Sequence, residues 1–309
     1  MEKISVGAGN TTLRRRRFSA ETRESLTAWA LLAPTLIFLL MFTVFPIIRS
    51  LYLSFHMLDM SVREPYFIGL DNFRWLARSN LFWRVMRNTL QFSLLTVIPS
   101  MVIGLGFAML VNGNNRGVGF IRTSFFYPVV MPMIAVASVW MFIYMARNGL
   151  LDQALMSFGI AANGILNNSS TAMPALAAMY TWREAGYLMI FFLSGLQNLD
   201  TELYEAARID GASRLRIFSR ITLPLMAPTT LFVMIIAITN SVRLVDHIVM
   251  MTEGAPNNAT TTLLYYIYQF GFMFFDHGIA STLTTILLFI MLTISMLQFI
   301  TADKRIHYN

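Results

Sequence analysis

From Leu26 to Ile48 the chain runs without one charged side chain, and apolar runs of similar length return along it. A helix rises about 1.5 Å per residue, so roughly 20 such residues cross the hydrocarbon layer of a bilayer. Repeated runs of this length are the signature of spanning helices. A mean hydropathy of +0.59 with only 13% charged residues excludes an ordinary soluble domain.

The expected architecture is all-α: a polytopic membrane protein with six spans at about 26–54, 88–111, 123–145, 173–196, 225–251 and 278–301. A basic tail, 1–25, precedes this membrane domain of 26–301, and a short tail, 302–309, follows it. The first run is longer than a signal-peptide core and lacks an A-x-A exit, so it reads as an uncleaved span. Arg14 to Arg17, Arg116, Arg122, the arginines near 208–220 and Lys304-Arg305 fall in segments this layout puts inside. That bias sets both termini in the cytoplasm and gives the basic tail lipid to touch, rather than nucleic acid. Arg63, Arg74, Arg78, Arg84 and Arg87 run against the bias in the first outer segment. Pro128 and Pro132 are expected to kink the third span.

One segment between two spans is polar. Asp200 to Pro224 reads DTELYEAARIDGASRLRIFSRITLP. Its grammar is helix, turn, helix. Gly211 breaks the first helix because glycine accepts a positive φ. Ser213 caps the second, on which Leu215, Ile217, Phe218 and Ile221 form an apolar stripe among arginines. Pro224 suits the first turn of the next span.

Glu205-Ala206-Ala207, Gly211, Ile221 and Leu223-Pro224, at these spacings, resemble the EAA loop of permease subunits of binding-protein-dependent ABC importers. The resemblance extends over roughly 28–300. It takes in Ala33-Pro34, Phe45-Pro46, the Gly69-Leu70-Asp71-Asn72 segment, Ser241 to Asp246, and Asp276 to Ser281, and it points to the carbohydrate-uptake type. Glu253 and Ala255 stand where that type usually has glycines. The resemblance implies a type I ABC importer permease fold with a cytoplasmic coupling loop at 200–224. It implies a second homologous permease subunit, two copies of a cytoplasmic ATPase and an extracytoplasmic solute-binding protein, in a bacterial or archaeal inner membrane. The coupling residues it marks are Glu205, Ala206, Ala207, Gly211, Leu215, Phe218, Ile221 and Pro224.

The chain lacks the machinery to burn ATP itself. Its only lysines are Lys3 and Lys304, so no G-x-x-x-x-G-K-[ST] phosphate loop exists. ATP and Mg are expected on the partner ATPase, with no cofactor and no metal on this chain. Cysteine is absent, and His56, His247, His277 and His307 are scattered without a catalytic or metal-binding spacing. Each of these histidines reads as an interface or loop residue, and the 22 methionines as packing material.

Charged groups inside a span are costly, and so mark function. Arg183 and Glu184, beside Trp182 and near Tyr187, fall within the fourth span. Asn240, Arg243 and Asp246 recur at threes in the fifth, on roughly one face of a single helix. Two readings stand. These residues line a solute path, with Trp182 and Tyr187 stacking on a sugar ring. Alternatively, Arg183–Asp246 or Glu184–Arg243 is an interhelical ion pair holding the bundle together. The arginines would suit an anionic solute, unless such pairing cancels them. The competing function is an ion- or proton-coupled secondary transporter using Arg183, Glu184 and Asp246 as a relay.

Overall fold

The computed structural model describes residues 12–60, 64–113, 116–160, 164–243 and 245–305. The first residues of the expected basic tail and the last four of the chain, His307 among them, lie outside the described residues, as do Arg63 and Leu244. The chain divides into two compact units, Met1–Tyr52 and Leu53–Asn309.

In the first unit α1 (Thr12–Leu39) continues through a π turn (Leu40–Val44) into α2 (Phe45–Leu53). The proline explains the turn. Pro46 has no N–H to offer the carbonyl four residues back. The preceding residue, Phe45, reaches back to Leu40 O instead, five residues away.

The second unit opens with a two-stranded antiparallel ribbon, β1 (His56–Met57) and β2 (Tyr66–Phe67), in which His56 faces Phe67. A short helix follows, α3 (Asp71–Arg78). Asn72 on it donates to Ser54 O at 3.2 Å and His56 O at 3.0 Å, tying the ribbon down. The long helix α4 (Asn80–Leu110) begins well before the expected second span. Ser79 caps it, accepting from Phe82 N at 3.3 Å.

The expected third span is two helices, α5 (Val118–Val130) and α6 (Met133–Ile143), bent by 99°. This is a break, where the sequence suggested a kink. Pro132 cannot donate, and it pushes Met131 out of the helical region to ψ 141°. The next segment was expected to be an outer loop but carries α7 (Leu150–Ser157) and a 3-10 turn (Ile165–Asn167). Then comes α8 (Ala172–Gln197), whose side chains are mostly buried.

The polar segment folds as α9 (Thr201–Ile209), α10 (Arg214–Ile217), a π turn (Phe218–Thr222) and α11 (Leu223–Leu225). The logic of the first unit repeats: ahead of Pro224, the N–H of Leu223 reaches back five residues to Phe218 O. After a 68° bend the chain continues as α12 (Ala227–Arg243). The expected fifth span ends there, because Val245 is not helical (φ −120°, ψ −22°) and α13 (Asp246–Met251) is a separate helix. The last expected outer loop contains α14 (Leu263–Tyr268) and a π turn (Gln269–Met273) before α15 (His277–Arg305).

Among the described residues three stretches, Thr27–Leu53, Asn80–Leu110 and His277–Ile300, are each long and apolar enough to cross a membrane. The two bent pairs raise that to five if each pair is one span. With 26 residues α8 has the length, but Arg183 and Glu184 interrupt its apolarity.

The core forms where α4 and α8 run side by side in the same direction. The ring of Phe92 lies 5.5 Å from that of Tyr180, and farther along both helices Gly104 faces Ala185 and Leu188. On the other side of α8, the backbone at Gly186 meets α5 so closely that a Cβ there would stand 2.1 Å from Phe125 O. His247 is sealed into this core, contrary to its expected place at an interface or in a loop. It is fully buried and stacks on Phe92 at 5.2 Å.

Candidate functional site

Two features carry the sequence's site residues: a cleft between α8 and α12, and the hairpin α9–α10 that joins those two helices.

The cleft encloses about 370 Å³ and is lined by Val129, Arg183, Glu184, Tyr187, Asn240 and Arg243. Five of the seven solute-path candidates thus converge. Glu184 is buried in α8, and its Oε1 accepts from Asn240 Nδ2 of α12 at 2.9 Å. That bond replaces the expected ion pairs, since neither Arg183–Asp246 nor Glu184–Arg243 forms. Arg183 turns instead to α5, where its Nη2 donates to Val129 O at 3.2 Å. This carbonyl is available because α5 stops at Val130, and the last four carbonyls of a helix have no partner within it. The Arg183 Nε is buried without a hydrogen-bond partner. Arg243 is exposed on the last turn of α12, where a cation complements the helix dipole. Among the described residues it makes no ion pair.

Two candidates leave the group. Trp182 neighbours Arg183 in sequence, but one step around a helix is about 100°. It therefore faces elsewhere and meets Trp140 of α6 edge-on at 5.6 Å. Asp246 was expected on the same face as Asn240 and Arg243. The non-helical residue before it ends that periodicity, and Asp246 is exposed at the start of α13, away from the cleft lining.

The hairpin is built by caps. The Asp200 carboxylate accepts from Glu202 N at 2.9 Å and starts α9. At the far end Gly211 takes φ +75°, and Ala212 N bonds back to Ala207 O at 2.9 Å, closing the helix in the manner of a Schellman turn. Ser213 accepts from Arg216 N at 3.4 Å and starts α10. Ile217 is buried, and Phe218 and Ile221 are partly so, but Leu215 is 76% exposed. The expected four-residue stripe therefore loses Leu215, which lies two residues from Ile217 and hence roughly 200° around the helix. Glu205 and Ala206 are exposed and Ala207 partly buried. Glu205 and Arg208 line a crevice of about 680 Å³ with Asn112 and the end of α8. Tyr204 and Thr222 hydroxyls pair at 3.1 Å, fastening α9 to the π turn that precedes Pro224.

A third set of residues was not singled out from the sequence. Asn88 of α4 donates to Asn258 O at 2.8 Å and Thr261 O at 3.0 Å, and Thr89 accepts from Leu263 N at 2.8 Å. Arg84 donates to Asn257 O at 3.0 Å. Together they fix the segment between α13 and α14 onto the start of α4. The sequence offered one signal only: an Arg-x-x-x-Asn-Thr string at the edge of an apolar run, whose partners lie far along the chain.

Comparison with known proteins gives a consistent result. Residues 92–306 match the family described as "Binding-protein-dependent transport system inner membrane component". The sn-glycerol-3-phosphate transport system permease protein UgpA of Escherichia coli is 31% identical over 291 residues, covering 93% of this chain and 97% of that protein. The probable starch degradation products transport system permease protein AmyD of Thermoanaerobacterium thermosulfurigenes is 30% identical over 283 residues, covering 92% and 96%. A chain in the crystal structure of a bacterial ABC transporter involved in the import of the acidic polysaccharide alginate superposes with a TM-score of 0.81. It is 24% identical, and the match covers 93% of this chain and 99% of that one.

Proposed function

The chain belongs to the family of binding-protein-dependent transport system inner membrane components, and from that premise we propose which solute, partners and movement it serves. It is a permease subunit of an ABC importer, with that importer's fold, and its family is one of transport components rather than enzymes. We assign it a carbohydrate, oligosaccharide or polyol-like solute, delivered by an extracytoplasmic binding protein. The end-to-end similarity to permeases named for glycerol phosphate and for starch products supports that class. ATP and Mg belong to two copies of a separate ATPase, and a second homologous permease completes the path. Both termini and the α9–α10 hairpin lie in the cytoplasm.

The observation that carries this reading is where the hairpin sits in the chain. It is the covalent link between α8 and α12, the helices that present Glu184 and Asn240 to one another. An ATPase gripping the exposed face of Glu205, Ala206 and Leu215 therefore pulls on both walls of the cleft at once. The Tyr204–Thr222 bond and the buried Ile217, with Phe218 and Ile221 beside it, make α9, α10 and the π turn move as a unit. Gly211 permits the tight fold between them, and Pro224 sets the start of α11. Rigid movement of this unit converts the cleft from outward-open to inward-open.

The test is uptake of a labelled solute into vesicles carrying the whole assembly, with the ATPase active or inactivated by mutation. Uptake that stops with the ATPase supports the importer. Uptake that persists and follows a proton gradient returns the chain to the secondary-carrier class.

A further inference from the structure

We infer that the cleft between α8 and α12 selects a solute that carries negative charge. This rests on the permease reading above and narrows its substrate class. Two guanidinium groups, Arg183 and Arg243, line a space of about 370 Å³ in which Glu184 is the one acidic side chain. Whatever the charge on Glu184, the lining is net positive. The acidic group that the sequence offered as a balance, Asp246, is removed by the end of α12 at Arg243 and sits exposed on α13, outside the cleft.

The hydrogen bonding supports the same conclusion. Glu184 spends its Oε1 on Asn240, which orients the carboxylate along the α8–α12 seam and not onto an arginine. Arg183 is half satisfied. One Nη reaches a backbone carbonyl, while its Nε is buried and without a partner. A buried guanidinium donor left unmatched is costly. The planar fork of an arginine fits two oxygens of one carboxylate or phosphate, and a low-dielectric wall concentrates its field. Tyr187 and Asn240 add groups able to bond hydroxyls beside the charge. An acidic sugar or a phosphorylated polyol meets this lining, whereas a neutral sugar leaves its net positive charge unmatched.

The test uses the intact transporter with its own partner subunits and binding protein, reconstituted in vesicles. Three labelled probes are compared: a uronic-acid trisaccharide, a polyol phosphate and a neutral trisaccharide. ATP-dependent uptake of one anionic probe is the expected result, and the carboxylate and phosphate arms tell which. Arg183→Gln should lower that uptake at least about tenfold, the usual scale for losing one partner of a desolvated charge pair, and Arg243→Gln by a few fold, because that guanidinium is exposed. Arg243→Lys should restore most of it, and co-purification of the partner subunits reports that each variant is assembled. ATP-dependent uptake that favours the neutral probe, or that Arg183→Gln and Arg243→Gln leave unchanged, overturns the inference and leaves the importer standing. No ATP-dependent uptake of any probe overturns both.

Discussion

Two glycines show how differently the two ends of this machine are made. Gly186 lies inside the packed seam of α8 and α5, where a single methyl group would stand 2.1 Å from a backbone oxygen. Gly211 lies in the hairpin, where a Cβ would meet nothing within 4 Å, and the residue is required only because φ is +75°. One glycine is there for space and the other for backbone conformation. The seam is therefore tightly packed and rigid, since protein interiors are close-packed and little compressible. The hairpin is a small self-capped unit presented to solvent, with α9 fastened to the following π turn by Tyr204–Thr222 and Ile217 buried.

The contrast can be broken by measurement. The largest effect is expected at Gly186. Gly186→Ala pushes a methyl into a carbonyl that cannot swing away, and overpacking of this kind typically costs about 1–3 kcal/mol or more. Most of the protein should fail to accumulate, or melt far below wild type in detergent. Wild-type melting would mean that α5 is free to move off α8. Asn240→Ala should cost about 1–3 kcal/mol in an unfolding titration, because it strips a buried carboxylate oxygen of its donor. Asn240→Gln, which keeps an amide, should cost less.

Gly211→Val tests the other member of the comparison. A β-branched residue forced into the left-handed region costs about 1–2 kcal/mol, all of it local. The variant should reach the membrane and assemble, yet lose most ATP-driven uptake. Gly211→Asn, which tolerates that region better, should lose less. Normal uptake by the valine variant would remove the hairpin from the mechanism. The smallest effect is expected from Ser213→Ala. N-cap losses run about 0.5–2 kcal/mol, and the 3.4 Å bond here argues for the low end. The helix signal near α10 in hydrogen exchange should fray while the α4–α8 core stays protected.

Much of this was legible in the residues because it depends on near neighbours. Apolar runs of spanning length, the Gly211 turn, the Ser213 cap and the spacing of Glu205 through Pro224 are local facts, and local chemistry dictates them. The convergence of Arg183, Glu184, Asn240 and Arg243 was also within reach, since charge inside an apolar helix announces itself.

The errors came from distance and from silent breaks. A proline at 132 marked the third span for bending, but only the tertiary fold makes it a 99° turn. Nothing between Asn240 and Asp246 is a glycine or a proline, so the end of α12 left no trace in the string, and Asp246 was carried into a face it does not share. Leu215 and Ile217 both read as apolar, yet one is outside and the other inside. His247 and Asn88 looked like ordinary loop and boundary residues until partners far along the chain enclosed them. The order of the chain thus determines which stretches are apolar enough to enter a membrane and which local caps and turns they carry. Which charges meet, and which are left without a counter-ion, is decided only when helices distant in sequence pack side by side. A single chain cannot encode its neighbours in space as it encodes its neighbours in line.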